Sequence, residues 1–140
     1  MIKYNKLPAN IIQRISGAAD YLKSNPEVIF SYLFGSLARR PPSPLSDVDI
    51  AVYLKPGTDF AESKLEILGQ LMDILQTDEV DLVILNTADI SLVMNIIKTK
   101  EVIVDNDPFE RHRFESLTMR KQFDFSYKEL AQLRRRYLHG

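Results

Sequence analysis

The stretch Val28-Ile-Phe-Ser-Tyr-Leu-Phe34, followed by Gly35-Ser36 and, after ten more residues, by Asp47-Val-Asp-Ile-Ala-Val-Tyr-Leu54, decides the fold. Both apolar runs are rich in β-branched and aromatic residues, which favour buried strands. Glycine ends the first run because it permits a backbone turn that other residues resist. The stretch therefore predicts two strands, with a tight turn directly after the first.

Helical and extended patterns alternate along the rest of the 140 residues. Apolar residues at helical spacing predict helices from Ile11 to Leu22 and from Leu65 to Leu75. The runs Val80 to Leu85 and Glu101 to Val104 predict a third and a fourth strand. Because a helix connects the second strand to the third, we expect a βαβ crossover in which these two strands are parallel.

Two further helices are predicted in the second half of the chain. One runs from Ala88 to Lys98, with Asn86 or Thr87 as its cap. The other begins at Asp107-Pro108, an N-cap followed by proline at the first helical position. The stretch 124–126 leaves open whether this tail, residues 107–140, is one helix or two. The order of elements predicts a single layered domain of the α/β (α+β) class over residues 1–140.

Composition and charge narrow the functional classes. The chain has no cysteine, which excludes disulfides and thiolate metal sites and favours a reducing, cytoplasmic setting. No apolar run approaches the roughly 18 residues that a membrane span requires. The net charge is −1, which argues against general polyanion binding, although residues from Asp107 onward carry eight Lys/Arg and five Asp/Glu. This basic tail is either a solvated helix face or a surface for an acidic partner or RNA.

Three aspartates are the residues that indicate a chemical function. Asp47 and Asp49 are two residues apart on a predicted strand, so both side chains project from one face. Asp81 lies near the start of the next parallel strand, and parallel strands begin at the same edge of a sheet. Carboxylates so close together repel one another unless a hard cation such as Mg²⁺ binds them. The alternative is that all three are solvated residues at the edge of the sheet.

The turn at Gly35-Ser36 makes a metal site at the three aspartates a stronger prediction. Free N–H groups at the start of a helical turn form an anion site, and the serine hydroxyl adds a donor. Taken alone, the dipeptide is equally consistent with an ordinary turn. A phosphate-binding turn beside a carboxylate trio predicts chemistry on a phosphorylated substrate.

The composite pattern Gly35-Ser36-x₁₀-Asp47-x-Asp49, with a further aspartate on the next strand, resembles the DNA-polymerase-β-like nucleotidyltransferase superfamily. The small size points to its minimal nucleotidyltransferase (MNT) group. The stretch from Val102 through Asp124-Phe125 is similar to the MNT antitoxins that are paired with HEPN toxins. This resemblance implies a polymerase-β-like fold, a small mixed β-sheet flanked by helices, with a helical C-terminal tail.

The resemblance also implies roles for individual residues. Gly35 and Ser36 would hold the triphosphate of ATP, and Asp47 and Asp49 would bind two Mg²⁺ ions. Asp81 would bind the catalytic ion and help to activate the acceptor hydroxyl. These three carboxylates are thus the expected catalytic and metal-binding residues.

Two more positions complete the expected nucleotide site. Arg39 stands where the group often has a basic residue and would contact a phosphate, and Ser46 would orient the metal loop. The insert Pro41-Pro42-Ser43-Pro44 departs from the more usual loop of glycine and acidic residues. This departure leaves the choice of nucleotide open, but not the aspartate trio.

By resemblance, the chain would be a cytoplasmic antitoxin that transfers AMP from ATP to a tyrosine hydroxyl of a cognate HEPN RNase toxin within a hetero-oligomer. Its tail would be the partner interface, and direct nucleic-acid binding is not expected. One alternative is an antitoxin that acts by binding alone, through Arg134 to Tyr137. Another is transfer to a small molecule such as an aminoglycoside, although only some 35 residues follow the fourth strand, too few for a substrate domain.

Overall fold

The computed structural model describes residues 10–38 and 47–138. Its elements follow the predicted order, with a short 3₁₀ turn after the first strand. In chain order they are α1 (Ile11–Ser24), β1 (Val28–Phe34), the 3₁₀ turn (Gly35–Ala38), β2 (Val48–Leu54), α2 (Phe60–Leu75), β3 (Val80–Ile84), α3 (Ile90–Thr99), β4 (Glu101–Asp105) and α4 (Pro108–Leu138).

The strands form one mixed sheet in the order β3-β2-β1-β4. β2 and β3 are parallel, whereas β1 is antiparallel to both β2 and β4. The parallel pair confirms the crossover that was predicted from the intervening helix. The mixed sheet flanked by helices also confirms the predicted fold class.

Alternation along the strands divides the core into two layers. On β2, Ile50 and Val52 are fully buried on one face, in the cluster that includes residues of α1 and α2. Ala51 lies on the opposite face, in the cluster that includes Val93 and Ile96 of α3. A strand that is covered on both faces needs apolar residues at nearly every position. The sequence of β2 therefore does not alternate between apolar and polar residues.

The beginning of α3 differs from the prediction. The helix begins at Ile90, and the N-cap is Asp89, whose carboxylate accepts a hydrogen bond from the Ser91 N–H at 3.1 Å. Asn86 does not cap it, because its side-chain amide pairs with the backbone of Leu54. Both the donated and the accepted bond of that pairing measure 2.9 Å. The asparagine therefore extends the β2–β3 pairing by one step beyond the strands.

The tail is one continuous helix of 31 residues. Asp107 accepts a hydrogen bond from the Glu110 N–H at 3.2 Å, which confirms the predicted cap. Asp124 and Ser126 are exposed on the helix surface and do not interrupt it. At 1.5 Å per residue, α4 is about 46 Å long, much longer than the sheet it crosses. Among the helices described, none is long and apolar enough to cross a membrane.

Candidate active site

Gly35 connects β1 to the 3₁₀ turn, and its backbone lies directly against Asp49. The glycine has a φ of +71°, a conformation that a residue with a side chain adopts at a cost. A Cβ atom at this position would lie 3.0 Å from Asp49 Cγ and 3.3 Å from Asp49 Cβ. The register Phe34↔Asp49 explains this proximity, because it places the end of β1 beside the start of β2. Glycine is therefore required both by the backbone and by the adjacent carboxylate.

Replacement of Gly35 by alanine tests this requirement. The added methyl group would displace the Asp49 carboxylate, and the positive φ would cost about 1–2 kcal/mol of unfolding free energy. We expect nucleotide transfer to fall below detection in the same variant. Gly69→Ala is the matched control, since Gly69 is exposed on α2 with no atom within 4 Å of the new Cβ. That variant should gain up to about 1 kcal/mol. An equal loss of activity in both variants would contradict the role of Gly35.

Asp49 and Asp81 face each other across the parallel pair. Their Cα atoms are register partners in the β2–β3 ladder. Adjacent strands lie about 4.8 Å apart, and side chains at partnered positions leave the sheet on the same face. That face is the one on which Ala51 packs, toward α3. Asp49 is half-buried and Asp81 is exposed, so the pair opens to solvent at one side.

Asp47 precedes β2 by one residue and is half-buried. Its Oδ1 atom is shielded from solvent. The spacing of two residues places Asp47 beyond Asp49 along the same face of the chain. All three predicted carboxylates therefore lie around the start of the β2–β3 pair.

These carboxylates do not form a preassembled cage. Across residues 10–38 and 47–138, no three Asp, Glu or His side chains are grouped closely enough to hold a metal ion. Rotation about the side-chain torsions of Asp47, Asp49 and Asp81 would be needed to bring their oxygens onto one cation. The donor set is nonetheless the one that Mg²⁺ prefers, and the lack of a side chain at Gly35 lets the Asp49 carboxylate lie against the turn. The metal-binding role of the three aspartates stays a prediction. The position of their backbone at the start of the β2–β3 pair is compatible with it.

The remaining predicted positions are described only in part. The backbone of Ser36 lies in the 3₁₀ turn, which spans residues 35–38. Arg39 and Ser46 lie outside the described residues. The predicted roles of these three side chains at the phosphates stay predictions.

A buried polar network, which the sequence analysis missed, ties α4 to the sheet. Glu115, 7% exposed, accepts hydrogen bonds from the Tyr32 hydroxyl at 3.0 Å and from Arg111 at 3.1 Å. The ammonium group of Lys100 lies 3.0 Å from the same carboxylate, and Arg111 also pairs with Asp105 at 3.0 Å. The only sequence signal was the i,i+4 spacing of Arg111 and Glu115, which is equally common on exposed helices.

The network shifts the pKa of Tyr32, Arg111 and Glu115, and the shifts at Tyr32 and Glu115 have clear causes. Burial, followed by the charge of Glu115, raises the pKa of the Tyr32 hydroxyl far above its usual value. Burial acts to raise the pKa of Glu115, but the hydrogen bonds from Lys100 and Tyr32 and the charges of Lys100 and Arg111 outweigh it. The pKa of Glu115 is therefore lowered, and the carboxylate is ionised at neutral pH.

The fold and the site together define a class of protein. In these nucleotide-transferring domains, a turn that begins with glycine lies against carboxylates on the neighbouring strands. Residues 17–109 match the family described as polymerase beta, nucleotidyltransferase, and the chain belongs to this family. No curated protein sequence matches the chain.

Solved structures share this fold across most of their length. One chain in the complex of a tri-AMPylated Shewanella oneidensis HEPN toxin with an MNT antitoxin is 23% identical to this chain. The match covers 86% of this chain and 94% of that chain, with a TM-score of 0.66. A toxin–antitoxin structure with AMP-PNP is 23% identical, with coverages of 84% and 94% and a TM-score of 0.70. A mutant MntA–toxin complex is 22% identical, with the same coverages and a TM-score of 0.69. The fold of this chain is thus that of the MNT antitoxins.

Proposed function

We propose that this chain is a cytoplasmic antitoxin that transfers AMP from ATP to a tyrosine hydroxyl of a cognate HEPN RNase toxin and thereby neutralises it. Membership of the nucleotidyltransferase family supports transfer of a nucleotide. The relatives that share the fold include an MNT antitoxin in complex with an AMPylated HEPN toxin and a toxin–antitoxin structure with AMP-PNP. The observation that carries the proposal is the placement of Gly35 against Asp49, with Asp81 in register on the next strand.

The chemistry of this site follows from its residues. Backbone N–H groups of the turn at Gly35 and Ser36 would bind the triphosphate, with Arg39 as a further phosphate contact and Ser46 orienting the loop before Asp47. Asp47 and Asp49 would hold two Mg²⁺ ions, and Asp81 one of them. When bound, such ions lower the pKa of an attacking hydroxyl and neutralise charge on the leaving pyrophosphate.

Transfer itself is an in-line displacement at the α-phosphorus. The tyrosine oxygen forms a bond to this phosphorus while the bond to the pyrophosphate oxygen breaks. The phenolic proton passes to the carboxylate of Asp81. The protein contributes mainly by orienting the two reactants and by stabilising developing charge.

We expect a neighbouring reading frame to encode a HEPN protein, and the direct test uses that protein with ATP labelled at the α-phosphate. We expect label on the partner with Mg²⁺ and none with EDTA, and peptide mass spectrometry should locate AMP on tyrosine. Binding of the partner without any transfer would instead support an antitoxin that acts by contact alone. Label on neither protein, with ATP and Mg²⁺ present, contradicts the proposal.

An apolar stripe on α4 supports the tail as the partner interface. Its members are spaced by three or four residues and therefore share one face of the helix. Exposure is high for such residues, for example 70% for Phe123 and 56% for Leu130. Exposed apolar stripes of this length are typical of protein interfaces. The stripe consists of Met119, Phe123, Tyr127, Leu130, Leu133 and Tyr137.

Replacing Leu130 by aspartate tests the stripe. Because Leu130 is 56% exposed, the unfolding free energy should change by less than about 0.5 kcal/mol. Affinity for the HEPN partner, measured by calorimetry, should fall by at least about tenfold, or 1.4 kcal/mol. Phe125→Asp is the matched control, since Phe125 is 53% exposed but lies on another side of the helix. Equal affinity of both variants and the unsubstituted chain would exclude the stripe as the interface.

A further inference from the structure

A cleft lies beside β3, the strand at one end of the sheet. α2 packs on one face of the sheet and α3 on the other, so the first turns of these two helices flank the cleft. Its volume is about 560 Å³, within the range of sites that bind small molecules. β3 lines it from Asp81, which is exposed, to Ile84. The cleft therefore has one of the three candidate catalytic carboxylates at one end.

The walls of the cleft are mostly apolar and carry no net charge. Among the described residues that line it, Asp81 is the only anion and Lys64 of α2 is the only cation. A polycationic acceptor such as an aminoglycoside would need an excess of carboxylates, and a nucleic acid would need an excess of cations. The composition of the cleft therefore favours an uncharged, largely apolar group. The apolar lining residues include Phe60, Ala61, Val83, Ala88 and Leu92.

The order of the strands fixes the side from which an acceptor approaches. The turn at Gly35, which would bind the triphosphate, follows β1, and β2 lies between β1 and β3. Because adjacent strands are about 4.8 Å apart, β3 lies about 10 Å from β1. In phosphoryl transfer the attacking oxygen and the leaving oxygen lie on opposite sides of the phosphorus. If pyrophosphate leaves toward β1, the attacking oxygen arrives from the side of β3, where Asp81 and the cleft lie.

We propose that this cleft is the acceptor subsite, in which the ring of the acceptor tyrosine lies against Leu92 and its hydroxyl lies at Asp81; this inference rests on the proposed function. A tyrosine side chain has an apolar body and a polar tip, which matches apolar walls that end at a carboxylate. Leu92 is 41% exposed and therefore accessible to the ring. From Asp81 to Ile84 the strand spans about 10 Å, which is long enough for a phenol ring.

This subsite explains the choice of tyrosine over other hydroxyl side chains. The tyrosine oxygen forms its bond to the α-phosphorus, the bond from that phosphorus to the pyrophosphate oxygen breaks, and the Asp81 carboxylate takes the phenolic proton. A serine or threonine hydroxyl is attached directly to Cβ, so it would reach Asp81 only if the acceptor backbone entered the cleft. The ring of tyrosine spans the cleft while the acceptor backbone stays outside it.

Filling the cleft tests the subsite. Ala61 is exposed in the first turn of α2 and lines the cleft, so Ala61→Trp should leave the fold intact and occupy the space of the tyrosine ring. We expect the KM for the HEPN partner to rise by about tenfold or more, with the KM for ATP unchanged. Gln70→Trp is the matched control, because Gln70 is exposed on the same helix and, nine residues further on, lies about 180° around its axis. That variant should keep both KM values.

The outcomes separate the subsite from the proposed function. Equal acceptor KM values for the two variants, with transfer intact, would overturn the subsite and leave the proposed function standing. A rise in the KM for ATP alone would assign the cleft to the nucleotide and would also overturn the subsite. Absence of transfer by the unsubstituted chain would overturn both.

Photo-crosslinking tests the same contact without any substitution in this chain. The HEPN partner, with p-azidophenylalanine in place of its acceptor tyrosine, is bound to the chain with AMP-PNP and Mg²⁺ and then illuminated. We expect peptide mass spectrometry to locate the crosslink at Leu92, Ala61 or Lys64, which line the cleft. A complex that forms but crosslinks only outside the cleft, or not at all, would overturn the subsite.

Discussion

Replacing Asp49 by asparagine is expected to lower AMP transfer by at least about 10³-fold, or about 4 kcal/mol of transition-state stabilisation. Asp49 lies between the Gly35 backbone and the register position of Asp81, so its carboxylate is central to any cation held here. The amide keeps the shape of the side chain but loses the charge that would bind Mg²⁺. Initial rates of label transfer from ATP to the HEPN partner measure the effect.

The folded state should tolerate the same substitution. Removal of one of several neighbouring negative charges relieves repulsion, so the unfolding free energy should stay equal or rise slightly. Asp73→Asn, on the exposed side of α2, is the matched control and should retain full activity. Normal turnover by the Asp49→Asn variant would exclude the metal-binding role. A large loss of stability would point to a structural role instead.

Replacing Glu115 by glutamine is expected to have the largest effect on stability, a loss of about 3 kcal/mol. The substitution leaves Lys100 and Arg111 close to a neutral amide, where the carboxylate now lies within 3.1 Å of both. Glu115 is only 7% exposed, so water cannot replace the lost charge. Urea unfolding measures the loss. Because Tyr32 joins α4 to β1 through the same carboxylate, the first half of α4 should loosen first.

The surface pair on the same helix provides the control. Arg113 contacts Glu110 at 3.2 Å, with an arginine side chain that is 59% exposed. Exposed pairs contribute about 0–1 kcal/mol, so Glu110→Gln should have little effect. Equal losses for Glu110→Gln and Glu115→Gln would contradict the importance of burial.

The lowered pKa of Glu115 predicts a pH dependence with a defined sign. In the unfolded chain the carboxyl group titrates near its usual value of about 4.3. Because the folded pKa is lower, the group stabilises the fold fully above the unfolded pKa. This contribution is lost as the pH falls through the folded pKa. The unfolding free energy should therefore decline more steeply in acid for the unsubstituted chain than for Glu115→Gln.

Local rules explain which predictions from the sequence were correct. Apolar periodicity gave the helices and strands, and the helical link between β2 and β3 required them to be parallel. That single inference placed Asp49 beside Asp81, since parallel strands start at one edge. The predicted cap of α3 was wrong because the side chain of Asn86 binds a distant segment of the chain and not the start of the helix. Its amide is instead taken by Leu54, 32 positions earlier in the chain.

The sequence by itself determined the order of elements, the crossover and the aspartates that gather at the start of the β2–β3 pair, because each depends on neighbours in the chain or on a short connection. Only the tertiary structure decided that Gly35 touches Asp49, that Glu115 joins Tyr32 and Lys100, and that β3 lies at one end of the sheet. Those features depend on register and packing between distant segments. Many arrangements of the same local elements satisfy the periodicity, but only one burial of the apolar faces fixes these contacts.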